Sequence, residues 1–206
     1  IESWGRFGAR HYKFFLSLSM LASFAIAMYI GMKQSIWFDE GYSIIIAKRP
    51  ISELLKLTSV DAHPPLYYLI LKGWASIFGY SEFALRALSA FFGALALGAM
   101  SLLIKKMFSK PAAIVSLPFI FLAPFLMRYN FEIRMYSLVS LLVIVATYVM
   151  LKAKESNKTY PWLIYGLIVA TGMYTLYMSA LVWIAHAVYL SYSSVKNKQP
   201  LLKQKF

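Results

Sequence analysis

Asp39 and Glu40 stand side by side in Trp37-Phe38-Asp39-Glu40-Gly41-Tyr42-Ser43, shortly after an apolar run that ends at Met32. The chain has only eight acidic residues. Acids at a membrane boundary are expensive and mark function by default. Neighbouring carboxylates repel, which can raise the pKa of one and leave it poised as a general base. The flanking aromatics suit a headgroup layer, so the carboxylates can face a cavity. A plainer reading is that Asp39 caps the helix that follows and meets its N-terminal dipole. Taken alone, the pair divides evenly between the two.

Two further groups could join it. In Asp61-Ala62-His63-Pro64-Pro65 the prolines fix the backbone and hold His63 in a defined place. A lone His is more often structural, but one among acids at a membrane surface suits binding of phosphate or hydroxyl groups. In Arg128-Tyr129-Asn130-Phe131-Glu132-Ile133-Arg134-Met135-Tyr136 a regular helix would put Glu132 on one face with Arg128 and Tyr136 and turn Arg134 elsewhere. Ordinary snorkelling explains these residues one by one. Glu82 and Arg86, four apart, read as a structural pair, and His186 as a packed core residue.

The elements that must position these groups are membrane spans. Of 206 residues 60% are hydrophobic and only 14% charged, far from the balance of a soluble domain. Charge-free runs cover Phe14–Met32, Ala87–Ile104, Pro111–Met127, Met135–Leu151 and Thr159–Val195. The first is longer than a signal-peptide core and lacks a cleavage pattern, so it reads as a retained span. The last, as one helix, would be about 55 Å long against a ~30 Å bilayer core, so it must fold into a hairpin, expected near Gly172. The fold expected is therefore an all-α polytopic membrane protein with about six transmembrane helices. An N-terminus inside puts 13 of the 21 basic residues on inner segments and six of the eight acids outside. The net charge of +13 sits in short loops between apolar runs, which argues against nucleic acid. There is no cysteine, which excludes disulfides, thiolate chemistry and Cys-type zinc sites, and no phosphate-loop or HExxH motif.

Residues 33–86 form a long outer loop, too rich in Trp, Tyr, Ile, Leu and Pro for disorder. It reads as juxtamembrane helices over Glu40–Ala47, over Ile51–Leu57, and from Pro64. Pro64–Gly79 is apolar but carries Lys72 at its middle, and a crossing there would break the charge rule downstream. It is expected to lie along the surface with Tyr67, Tyr68 and Trp74 at the interface.

In this order, the span ending at Phe38-Asp39-Glu40, His63-Pro64-Pro65-Leu66-Tyr67-Tyr68, Ser81-Glu82-Phe83-Ala84-Leu85-Arg86 and Glu132-Ile133-Arg134-Met135-Tyr136 resemble a known pattern. It is that of the N-terminal half of GT-C glycosyltransferases of the protein O-mannosyltransferase and lipid A aminoarabinose transferase kind. The resemblance implies one GT-C-like module over residues 1–206, forming the N-terminal part of a longer protein. It implies transfer of a sugar from a polyprenyl-phosphate donor to a lipid, glycan or protein acceptor on the extracytoplasmic side, with inversion. Asp39 would be the general base, and Glu40 would orient it or hold a cation. His63 and Arg134 would meet the donor phosphate, and Glu132 and Tyr136 would line the cavity. The sequence names no cofactor: Asp39 and Glu40 would suit a hard divalent cation or none. Relatives often carry a His in the last hairpin, where this chain has Tyr174-Thr175-Leu176-Tyr177. A carrier of lipid-linked sugars and a non-catalytic membrane subunit are the alternatives, the first weakened by acids at the boundary rather than mid-membrane. Lysine-rich inner loops lean towards a prokaryotic cell membrane with a cytoplasmic N-terminus.

Overall fold

The computed structural model describes residues 10–197; Glu2, Arg6, Lys198, Lys203 and Lys205, counted above among the inner charges, lie outside them. Among the described residues ten α-helices follow one another: α1 (Tyr12–Gly31), α2 (Phe38–Lys48), α3 (Ile51–Thr58), α4 (Leu66–Phe78), α5 (Glu82–Met107), α6 (Lys110–Phe121), α7 (Pro124–Tyr129), α8 (Tyr136–Glu155), α9 (Tyr160–Thr175) and α10 (Ala180–Asn197). The described residues contain no strand. Four segments among the described residues are long and apolar enough to cross a membrane: α1, α5, α8 and the stretch Tyr177–Val195.

Helix α5 is the centre of the bundle. Ser81 caps it by accepting a hydrogen bond from the Ala84 amide, and Lys105 and Lys106 face its C-terminal dipole. Small residues line it, Ala87, Ala90, Gly93, Ala94, Ala96, Gly98 and Ser101 among them, so neighbouring backbones can come close. A Cβ on Gly98 would stand 2.8 Å from the Met20 sulfur of α1. Helices α1, α6 and α8 pack around α5.

Two expected spans are shorter than the hydropathy suggests. Pro118 removes a backbone donor inside α6, which stops at Phe121 after 12 residues, about 18 Å of helix. Pro124 then opens the short α7, so the run Pro111–Met127 is a broken pair rather than one helix. The last run does fold back, but at Leu176 and the 3-10 turn Tyr177–Ser179, not at Gly172. Gly172 stays helical because its missing side chain is what lets the two arms meet: a Cβ there would lie 2.6 Å from the Trp183 ring.

The segment 33–86 contains the three expected helices, and α4 buries one face against α5. Tyr67 and Tyr68 of α4 are fully buried, in one core cluster with Ile46, Ala47, Leu54, Leu85, Leu88 and Ile133. Trp74 donates through its ring nitrogen to the Ala84 carbonyl at 2.7 Å. Tyr67 and Tyr68 are thus core residues rather than interfacial ones, and the half-buried Trp74 fastens α4 to α5. Lys72, odd in an apolar segment, donates to the Ala47 and Arg49 carbonyls at 3.2 and 2.9 Å and so closes the C-terminal end of α2. Gly79 ends α4 with φ 84°, a conformation few other residues adopt.

Candidate active site

The acid pair opens α2, and the two carboxylates part company there. Trp37 is the N-cap, so Asp39 and Glu40 are the second and third helical residues. Glu40 reaches back to accept the Trp37 amide at 3.3 Å. The capping role considered for Asp39 therefore falls to its neighbour.

Glu40 has a side chain only 1% exposed. Arg86 of α5, equally buried, meets it with both terminal nitrogens, at 3.0 Å to Oε1 and 3.1 Å to Oε2. Oε1 also accepts the Ile133 amide at 2.9 Å. Arg86 in turn donates to Glu82 (2.9 Å) and to the carbonyls of Phe131 and Gln34 (3.2 Å each). The Glu82–Arg86 pair is present, but its larger role could not be read from a spacing of four. Arg86 ties together the exit of α1, the start of α2, α5 and the turn before α8. A charge-assisted, multidentate contact of this kind fixes geometry as well as energy.

Asp39 is the accessible member, with 35% of its side chain exposed. Arg134 approaches it at 3.6 Å and donates to its backbone carbonyl at 3.4 Å. The helix-face reading of residues 128–136 does not survive in full. Residues 130–135 are irregular and α8 starts only at Tyr136, so Arg134 turns inward to 2% exposure rather than away. Arg128 does approach Glu132, at 3.6 Å. Tyr136 lies beside Arg134, with the guanidinium 5.8 Å from its ring centre.

His63 completes the row. Arg134 has no acceptor atom, so the 3.2 Å contact makes His63 Nε2 the acceptor and leaves the ring proton on Nδ1. Nδ1 faces Asp61 at 3.5 Å, and Asp61 takes the Tyr42 hydroxyl at 2.7 Å. Burial works against the Asp61 charge, but Tyr42 and His63 outweigh it and hold the carboxyl below its ordinary value. Burial, helped by the bond to Asp61, pushes the Tyr42 phenol up to about 12. A continuous polar row therefore runs Tyr42, Asp61, His63, Arg134, Asp39. Tyr42 and Asp61 were given no site role from the sequence; Asp61, two residues from a proline-fixed His, offered the one usable signal.

Glu132 is 4% exposed, and its Oε2 is a buried oxygen with no hydrogen-bond partner. Burial raises its pKa, and the nearby Glu40 and Asp39 charges add to the rise against Arg128 and Arg134. Among the described residues no three His, Asp or Glu side chains converge as a metal ion would require. Glu40 is held by Arg86, and Asp39 faces Arg134.

Buried guanidinium–carboxylate anchoring behind one accessible acid, at one end of a bundle of apolar helices, defines a multi-pass membrane protein with a polar site at its boundary. Residues 62–205 match the dolichyl-phosphate-mannose-protein mannosyltransferase family, and the chain belongs to that family. It is a membrane glycosyltransferase of the GT-C type. The matched region contains His63, Arg86, Glu132, Arg134 and Tyr136, while Asp39 and Glu40 precede it. No curated protein and no solved structure matches the chain.

Proposed function

We propose that the chain transfers a sugar from a polyprenyl-phosphate donor to an acceptor hydroxyl on the extracytoplasmic side, with inversion, and that Asp39 is the general base. The observation that carries this is the contrast within the pair. Glu40 is buried and held by Arg86 and the Trp37 and Ile133 amides, whereas Asp39 is partly exposed at the head of a polar row.

In this reading Asp39 takes the proton of the acceptor hydroxyl as the acceptor oxygen bonds to the anomeric carbon. The bond from that carbon to the phosphate oxygen breaks on the opposite face, and the lipid phosphate leaves with the electron pair. Arg134 and His63 meet that anion as its charge grows. Arg134 stands between Asp39 and His63, so a phosphate that draws the guanidinium towards His63 also releases Asp39 to act as base. Glu40 and Arg86 are positioning residues. Glu132 and Tyr136 line the cavity around Arg134.

The test is sugar transfer by the reconstituted protein with polyprenyl-phosphate mannose, for wild type and Asp39→Asn. A positioned base contributes ~10²–10⁴-fold, so the variant should lose at least about a hundredfold in turnover while still binding donor. Turnover within a few-fold of wild type would remove Asp39 from the mechanism. Movement of the donor across the bilayer without transfer would favour the carrier reading instead.

A further inference from the structure

At the end of the bundle opposite the carboxylates, α1 and α6 enclose a second, differently built site. Its mouth is a cavity of about 370 Å³ lined by Arg10, Lys13, Lys105 and Lys110, with His11 and Tyr12 between them. No acid lies within ion-pairing distance of these four cations among the described residues. The contrast with the adjacent Lys106 is direct, since that side chain is paired with Glu155 at 2.6 Å. Lys105 is steered by the Tyr12 ring, 5.1 Å beneath its ammonium. Lys110 is the first residue of α6, at the positive end of that helix.

The mouth opens onto an apolar groove of about 470 Å³ between the same two helices, walled by Phe15, Leu18, Ala22, Ile114, Leu117 and Phe121. The register shows that mouth and groove are one feature. Along α1, His11, Phe15, Leu18 and Ala22 follow at steps of four, three and four. Along α6, Lys110, Ile114, Leu117 and Phe121 do the same. Each series is one helix face, polar at the end that meets the mouth and apolar for two turns beyond. Leu18 and Val115 on the rim are 52% and 45% exposed, so the groove is open along the side that meets the hydrocarbon.

The geometry points to a binding site for a phospholipid of net negative charge, its phosphate in the Arg10–Lys13–Lys105–Lys110 mouth and one acyl chain along the α1–α6 groove. A free anion would use the mouth and leave the groove empty. A zwitterionic lipid would bring a cation to four cations. The site is separate from the sugar-transfer reading and does not depend on it. Helix α1 is about 30 Å long, with the mouth at one end and Gly31, close to Arg86 and Phe131, at the other.

The test is native mass spectrometry of the full chain in detergent, titrated with phosphatidylglycerol, with phosphatidylcholine of the same acyl chains, and with glycerol phosphate. Phosphatidylglycerol should be retained about tenfold or more better than phosphatidylcholine. The combined Lys13→Gln, Lys105→Gln and Lys110→Gln variant should lose that preference at unchanged helix content. A second measurement leaves the cations untouched: phosphatidylglycerol with a photoreactive acyl chain should tag residues 15–22 and 114–121. Equal retention of the two lipids, a preference that survives the triple substitution, or tagging only elsewhere would each overturn the assignment. Displacement of the lipid by glycerol phosphate at equal concentration would replace it with a plain anion site.

Discussion

Arg86 and Arg134 are both almost inaccessible, yet their surroundings set them different tasks. Arg86 spends its donors on two carboxylates and two carbonyls. Removing one member of such a buried pair leaves a charge uncompensated, at ~3–5 kcal/mol. Glu40→Gln should therefore lower stability by about 3 kcal/mol, measured by denaturation in micelles. Glu40→Met with Arg86→Met should lose clearly less than the two single substitutions summed. Full additivity would mean that the pair does not act as a unit. Glu132 behaves in the opposite sense. Its folded-state pKa is raised above the ordinary 4.5, so the folded protein binds the proton more tightly than the unfolded chain. The contribution to stability is complete below pH 4.5 and is lost as pH rises through the folded pKa. Glu132→Gln should accordingly leave stability unchanged at low pH and increase it relative to wild type at neutral pH. Denaturation midpoints followed from pH 4 to pH 8 check the direction.

Elements meet closely where side chains are missing. A Cβ on Gly31 would stand 2.9 Å from the Phe131 Cβ and 3.1 Å from Arg86, at the joint between α1 and the turn that carries Glu132. Nothing lies within 4 Å of the same atom on Gly166. Both substitutions to Ala carry a similar helix-propensity term, so the difference between them isolates the wedge. Gly31→Ala should destabilise by ~1–3 kcal/mol and reduce transfer, as overpacking does. Gly166→Ala should be neutral to stabilising, by up to about 1 kcal/mol. Equal effects would show that the joint is loose. Hydropathy made the four long spans and the three helices of residues 38–78 legible, because lipid or core exposure leaves a long compositional trace. The break after Pro118 was obscured because the run around it is uniformly apolar. The inward turn of Arg134 was obscured because a helical register was assumed where the backbone is irregular. Glu132 and Asp39 do come to the same end of the bundle. The partner of Glu40 was illegible, since Arg86 lies 46 residues away and its closer acid already accounted for it.

The whole molecule is polarised along its long axis. One end carries the acids and the row from Tyr42 to Asp39; the other carries lysines, including the pair Lys106–Glu155 that clasps α5 to α8. Even numbers of crossings follow if α6 with α7 spans as a broken pair and α9 with α10 as a hairpin, so that every lysine-rich connection falls at one end. Charge bias sets orientation through basic residues in short loops, so the expected arrangement has that end in the cytoplasm. The absence of cysteine makes this directly testable, because a single introduced thiol is the only one to label. Ser59, at the end of α3, belongs to the carboxylate end, and Ser156, just past α8, to the lysine end. In intact cells an impermeant maleimide should label Ser59→Cys and spare Ser156→Cys until the membrane is permeabilised. The reverse pattern would move the proposed chemistry to the cytoplasmic face. Labelling of both in intact cells would mean an even number of crossings between them, or none, and would reopen the placement of α4 beside the membrane rather than through it.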